Sequence, residues 1–222
     1  MTKLFLVGGP IGNLEDLTFR AKRILAEADF LISEEPLTTK KIFDRYQIDW
    51  PPNLKLNERN FERQLHRLKE ILVGFKNIVF MSEAGAPGLS DPGNRLVEFV
   101  RKNFSQIEIE PIPGVSSLTT LISVSGENLQ RFLFLGFLPQ KNKRKFFLAQ
   151  IQNSPYPVIL FESPFRLNRL LNELTELGFV KVVLGRELTK KFEEIKILDL
   201  NVIDRSKLKL KGEITLIVFP RS

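Results

Sequence analysis

Short apolar runs alternate with amphipathic stretches along the whole 222-residue chain. Leu4–Gly8, Asp29–Glu34, Asn77–Glu83 and Ile107–Ile112 read as strands. Several are apolar at consecutive positions, the pattern of parallel strands that helices cover on both faces. Between them Leu14, Leu17, Ala21, Ile24, Leu25 and Ala28 recur at helical spacing, as do Phe61, Leu65, Leu68 and Leu72, then Leu96, Val97 and Val100. In the second half, Val115, Leu118, Leu121 and Ile122 predict a helix leaving a Pro113–Gly114 turn. A longer helix carries Leu167, Leu170, Leu171, Leu174 and Leu177; Ser163 and Pro164 suit its start and Gly178 its end. Pro157–Glu162, Lys181–Glu187, Glu193–Leu200 and Glu213–Phe219 complete the strands, the last two as an antiparallel hairpin. This alternation predicts an α/β protein. Pro111, Pro113 and Gly114 break the periodicity, so two αβα domains with mostly parallel sheets are expected, over residues 1–112 and 113–222.

Charge sharpens that division. Residues 1–111 carry 16 Lys/Arg and 16 Asp/Glu, whereas residues 112–222 carry 17 against 10, so the whole net charge of +7 belongs to the second half. A basic half attracts polyanions, although cations also serve as solvated surface. No cysteine is present, which excludes disulfides, a thiolate nucleophile and cysteine-ligated metal, and fits a reducing compartment. The lone His66, among Arg63, Leu65 and Arg67, reads as a solvent-facing helical residue, so no metal site is expected. Met1–Phe5 runs directly into the first apolar stretch, and no run of 18 apolar residues occurs; the reading expects neither a signal peptide nor a membrane span, and a cytoplasmic location.

Four turns follow expected strands, where open α/β sheets bind ligands. Gly8–Asn13 brings glycines that allow close backbone approach, without the spacing of a dinucleotide fingerprint or a P-loop. Ser82–Gly93 holds three glycines and two prolines in twelve residues, which specifies a fixed path, and Ser90 or Asp91 suits the start of the next helix. Pro113–Ser117 and Phe161–Pro164 complete the set. Together they argue for a small-molecule site.

At these turns the chain resembles the tetrapyrrole-methylase superfamily, and within it the ribosomal RNA small subunit methyltransferase I family. Gly9–Thr18 matches that family's opening T-P-I-G-N-L-x-D-[IL]-T motif with Gly9 for Thr. Ser82–Gly93 matches S-D-A-G-T-P-x-[IL]-S-D-P-G, with Glu83 for Asp and Ala86 for Thr. Pro113–Ser117, Gly136–Pro139, Phe161–Leu167, Gly185–Lys190 and Lys211–Glu213 follow in the family's order. The resemblance implies S-adenosylmethionine as cofactor, held in a cleft between two domains, a homodimer, and 2′-O-methylation of a cytidine in 16S ribosomal RNA within the 30S particle. Carried onto this chain, the cofactor positions are Pro10, Gly85, Ala86, Leu89, Val115, Ser116, Ser117 and Glu162. The chain departs from the pattern at Glu34–Leu37, where an Arg is usual, at Leu56, where a His is usual, and at Phe165, again in place of His. It also ends at Ser222 without the short C-terminal extension of many members.

Methylating a ribose hydroxyl requires its alignment and the removal of its proton. Glu187 and Lys190 rank first for this because their motif is intact; Glu34, Glu35 and Glu58 follow, and a plain salt bridge is an alternative for each. Lys141, Lys143, Arg144 and Lys145 are expected to open a helix against its dipole preference and to contact RNA phosphates, with Lys190 and Lys191 as a second cluster. Two other readings stay open: a methylase of a small tetrapyrrole-type substrate, and a non-catalytic relative that binds cofactor or RNA.

Overall fold

A computed structural model describes residues 1–209 and 211–220. The chain divides into two compact units, Met1–Ser116 and Ser117–Ser222, with the change at Ser116 rather than at residue 112.

The first unit runs β1 (Lys3–Val7), α1 (Phe19–Ala26), β2 (Phe30–Ser33), α2 (Pro36–Tyr46), β3 (Asn53–Lys55), α3 (Phe61–Gly74), β4 (Asn77–Met81), α4 (Gly93–Asn103) and β5 (Glu108–Ile112). Its five strands pair in the order β3-β2-β4-β1-β5, all parallel. Successive residues point to opposite faces, so the strands feed two cores. Phe5, Val7, Leu31, Val79 and Met81 pack against Ala21, Ile24 and Leu25 of α1 and Ile42 and Phe43 of α2. Leu4, Phe30, Ile32, Ile78 and Phe80 pack against Leu68, Ile71 and Leu72 of α3 and Leu96 and Val100 of α4. Local chemistry sets the helix starts: the Thr18 hydroxyl accepts the Ala21 N–H at 3.1 Å, and Pro36 opens α2, where its missing N–H costs nothing. The adjacent strands β1 and β4 send their following helices to opposite faces of the sheet. Their C-terminal ends therefore form the switch point where such sheets open a crevice.

The second unit runs α5 (Ser117–Val124), β6 (Leu133–Phe137), α6 (Arg144–Asn153), β7 (Val158–Glu162), α7 (Pro164–Glu176), β8 (Lys181–Arg186), β9 (Glu194–Asp199) and β10 (Ile214–Val218). The strand order is β6-β7-β10-β8-β9, and among the described residues only β6–β7 is parallel. Across both sheets the described pairings remain mostly parallel. The hairpin expected between Glu193–Leu200 and Glu213–Phe219 does not form: β9 pairs with β8, and β10 inserts between β7 and β8, antiparallel to both. The side chains explain this. β10 is ITLIV, buried at every position, and belongs in the middle of a sheet, whereas β9 alternates half-buried Glu194 and Lys196 with exposed Ile195 and Ile197, and its charged side chains suit an edge strand. Leu167, Leu170, Leu171 and Leu174 of α7 and Ile151 of α6 close one face over Leu160, Leu184 and Leu216. On the other face, Leu121 of α5 lies so close to Gly185 that a Cβ there would meet its Cδ1 at 2.8 Å.

α7 starts and stops near its expected signals, but not by the expected cap. Ser163 has the backbone geometry of a cap and its hydroxyl bonds no helix amide; Pro164 at the first position sets the start. At the other end Gly178 (φ +82°) donates to the Thr175 carbonyl and Phe179 to that of Leu174. Among the described residues, no helix is long and apolar enough to cross a membrane, and no group of three His, Cys, Asp or Glu is placed to hold a metal ion.

Candidate active site

Three of the four turns converge at the switch point. Gly9 N–H donates to Gly85 O at 2.9 Å and Gly85 N–H donates to Pro10 O at 3.2 Å, a reciprocal pair that staples the turn after β1 to the turn after β4. Gly8 N–H donates to Ile112 O at 2.9 Å, joining the end of β5. Gly8 and Gly114 approach so closely that a Cβ on Gly8 would lie 2.6 Å from Gly114 N, and one on Gly114 would lie 2.7 Å from Gly8 O. Gly85 adopts φ +72°, and its Cβ position faces Ile11 Cγ2 at 3.2 Å and Val115 O at 3.4 Å. Of the expected cofactor positions, Pro10, Gly85 and Val115 are thus brought together as backbone. Ala86 and Ser116 continue the same turns, half-buried, and Leu89 stands exposed further along the loop. Ser117 and Glu162 belong to the second unit.

Asp91 fixes the long loop. Its buried carboxylate accepts Gly88 N–H at 2.8 Å and Leu89 N–H at 3.0 Å on one oxygen, and Gly93 N–H at 2.7 Å on the other. The sequence pattern suggests for Asp91 only a helix-start role; the further signal is an Asp followed by Pro and Gly, which lets one side chain collect amides from both sides of the turn. Asp91→Asn turns one acceptor oxygen into an N–H₂ group that faces an N–H donor. Leaving one or two buried amides unsatisfied should cost the first unit about 2 kcal/mol, read as a lower urea midpoint. A midpoint equal to that of the parent would show that Asp91 does not organise the loop.

The carboxylate candidates separate sharply. Burial pushes the Glu34 carboxyl up, against the N–H of Glu83 that it accepts at 2.9 Å, and the charges of Asp91, Glu83 and Glu58 add to the rise. Glu34 thus sits at the end of β2, bonded to the loop after β4. Glu35 is held down chiefly by its hydrogen bond with Lys55. Glu58 pairs with Arg95, which also reaches Glu62 and lies over the Phe61 ring at 4.2 Å.

Glu187 and Lys190, ranked first from the motif, form a structural clasp. Glu187 (φ +51°) accepts Glu213 N–H and Lys190 Nζ, both at 3.0 Å, and Lys190 also meets Glu213 at 3.1 Å. Gly212 is required there, since its Cβ would fall 2.4 Å from Glu187 Cγ. Burial acts to raise Glu187, but the Glu213 amide and Lys190 together bring it below the usual carboxylate range. Burial would lower Lys190, and the two carboxylates outweigh it and raise the amine. A carboxylate held low and an amine held high are both poor proton acceptors near neutral pH, so this clasp fits a structural role better than that of a base.

Arg144, expected to contact RNA, is committed to contacts within the fold. Its side chain is only 3% exposed, and its Nε donates to both Glu173 oxygens at 3.0 and 3.1 Å while Nη1 donates to Pro139 O. α6 begins at Arg144, so Lys141 and Lys143 precede the helix, and with Lys145 they are exposed. Glu162, at the end of β7, is buried; Oε1 accepts Ser163 N–H at 2.7 Å and pairs with Arg166 at 2.6 Å, whereas Oε2 has no hydrogen-bond partner among the described residues. Burial raises its carboxyl against that amide and the charges of Arg166 and Arg144.

Comparison with known proteins gives the family and the fold. Residues 3–203 match the family of tetrapyrrole (corrin/porphyrin) methylases. Ribosomal RNA small subunit methyltransferase I of Thermotoga maritima is 36% identical over 222 residues, covering 98% of both chains. The protein of that name from Borrelia garinii subsp. bavariensis is 37% identical over 222 residues, covering 97% of both. Among solved structures, uroporphyrin-III C-methyl transferase from Thermus thermophilus complexed with S-adenyl homocysteine shares the fold, with a TM-score of 0.66 at 17% identity over 97% of this chain and 96% of that one. The chain therefore belongs to the tetrapyrrole (corrin/porphyrin) methylases and, within them, to the ribosomal RNA small subunit methyltransferase I family.

Proposed function

We propose that this methyltransferase uses S-adenosylmethionine to methylate the 2′-hydroxyl of a cytidine in 16S ribosomal RNA, acting on the 30S particle as a cytoplasmic homodimer. The observation that carries the cofactor reading is the junction of Gly8 and Gly114, where backbones meet too closely for side chains, beside Gly85, whose φ of +72° favours glycine. Such a junction fits a cofactor held largely by backbone, with main-chain groups of residues 86 and 115 as the candidates beside it. The basic second half and the full-length match to relatives named for ribosomal RNA support the substrate.

When bound, S-adenosylmethionine supplies an electrophilic methyl group on a cationic sulfur. The chain's own residues must fix the acceptor hydroxyl in line and accept its proton. Glu34 suits the role of proton acceptor, because its raised carboxyl lies closer to working pH than that of a solvated glutamate and the Glu83 amide fixes its orientation. A base acts only when ionised, so methylation should rise as pH climbs through Glu34's folded value, above the ordinary 4.5. Glu34→Gln should remove this limb and lower kcat by roughly a hundredfold or more, with cofactor affinity unchanged. The assay is transfer of labelled methyl to 30S particles from cells lacking the gene, mapped by mass spectrometry. Label absent, or found off a cytidine ribose, would refute the substrate. A full pH limb in Glu34→Gln would refute the base.

A further inference from the structure

Three guanidiniums pin the segment between β6 and α6. Arg166 donates to Leu138 O at 3.0 Å, Arg144 to Pro139 O at 3.0 Å and Arg169 to Gln140 O at 3.2 Å. Glu162 and Glu173 hold these arginines in place from β7 and α7. Three consecutive carbonyls are therefore anchored, and the chain just beyond them presents Lys141, Lys143 and Lys145 from a fixed base. No acidic residue occurs between Gly136 and Leu148, so these exposed cations meet no local counter-charge from their own segment.

Aromatic rings stand beside the anchored segment. Phe165, next to Arg166 on the first turn of α7, is 90% exposed, whereas the same helix turns Leu167, Leu170, Leu171 and Leu174 fully inward. Phe137, next to Leu138, is 53% exposed and rests on Phe161 with ring centroids 5.5 Å apart. The Arg166 guanidinium, bonded to the Leu138 carbonyl, thus links the residues adjacent to the two rings. A phenyl ring left in water contributes nothing to the core. Rings next to fixed lysines match single-stranded nucleic acid, in which phosphates meet cations and unpaired bases stack on aromatic faces.

We propose that Phe165, on the turn that Arg166 fixes to the Leu138 carbonyl, is a stacking platform for an unpaired base of the RNA substrate, whose phosphates run along Lys141, Lys143 and Lys145. This rests on the RNA reading above, with charge complementarity choosing a polyanion over an apolar protein surface. Every contact of the platform is inside the second unit, so its geometry needs no other part of the chain.

The test uses fluorescence anisotropy with a short unstructured RNA, the same strand carrying abasic sites, and a blunt duplex of equal length. Phe165→Ala should weaken the intact single strand roughly tenfold and leave the abasic strand and the duplex unchanged. Phe165→Trp should bind as well as the parent or better. The combined Lys141→Gln, Lys143→Gln and Lys145→Gln variant should weaken all three probes and lower the salt slope by about two units. If Phe165→Ala binds like the parent while the lysine variant is impaired, the stacking platform is wrong and the RNA reading stands. If the parent binds none of the probes, the RNA reading itself fails. If Phe165→Ala changes only the sedimentation coefficient, the ring packs against a second copy and the platform is overturned.

Discussion

Gly8→Ala and Gly114→Ala are each expected to cost the first unit about 3 kcal/mol and to weaken S-adenosylmethionine binding by roughly a hundredfold. The reason is geometric. A methyl group at Gly8 would lie 2.6 Å from Gly114 N and 2.8 Å from Gly114 Cα, and backbone atoms cannot swing away as a long side chain can. Relief must come from parting the ends of β1 and β5, which would break the Gly8–Ile112 hydrogen bond and drag the Gly9–Gly85 pair with it. Strain at one atom is thus converted into displacement of every main-chain group proposed to face the cofactor. Gly74→Ala is the matched control, because a Cβ there meets nothing within 4 Å and should be neutral or slightly stabilising. Trp50, the single tryptophan, packs edge-on against Phe43 at 4.8 Å and reports unfolding of this unit, while calorimetry reports cofactor affinity. Parent-like affinity in both glycine variants would remove the junction from the cofactor site.

Much of this arrangement is readable from residue order. The three central parallel strands of the first unit, β1, β2 and β4, are legible because helices on both faces leave no polar alternation to confuse with a loop, and the edge strand β5 is legible by its alternation of Glu with Ile. β3 is not, since Asn53–Lys55 buries one side chain of three, nor is α2, whose short apolar stripe of Ile42 and Phe43 follows a Pro. β6 is hidden by Gly136 (φ +59°), which breaks the register with β7 and reads locally as a turn. The expected hairpin fails because it leaves burial unweighed: ITLIV, apolar but for Thr215, is buried throughout and so central, whereas the Glu194–Asp199 strand alternates and so lies at an edge. The site divides in the same way. Turns that need glycine announce themselves, because only a missing side chain permits them. Roles carried by side-chain partners do not: Glu187 and Arg144 look like free chemistry in sequence and are each committed to contacts contributed by residues 26 and 29 positions away.

Arg144→Ala is expected to destabilise the second unit by about 3–5 kcal/mol, the cost of stranding a partly buried carboxylate rather than of losing a surface cation. Glu173 is largely buried, and Arg144 supplies its Nε and Nη2 contacts. Without them Glu173 keeps only the more exposed Arg169, and Pro139 O loses its donor. Lys143→Ala and Lys145→Ala, exposed on either side, should each stay within about 0.5 kcal/mol of the parent. On heating, Arg144→Ala should lose second-unit circular dichroism roughly 15 °C early, with Trp50 fluorescence of the first unit unmoved over that range. Replacing both partners, as Arg144→Met with Glu173→Leu, removes the stranded charge and should recover more than half of the loss, because the pair's net contribution is much smaller than the cost of breaking it. This contrast separates anchoring from RNA contact: in the double variant the fold returns, while the Leu138–Gln140 carbonyls lose their central strut. Exposed lysines on a loosened segment should then bind the single-stranded probe more weakly at an unchanged salt slope, since the number of phosphates they meet is the same and only their preorganisation is lost. Arg144→Ala within about 1 kcal/mol of the parent would show that the pair does not hold the segment.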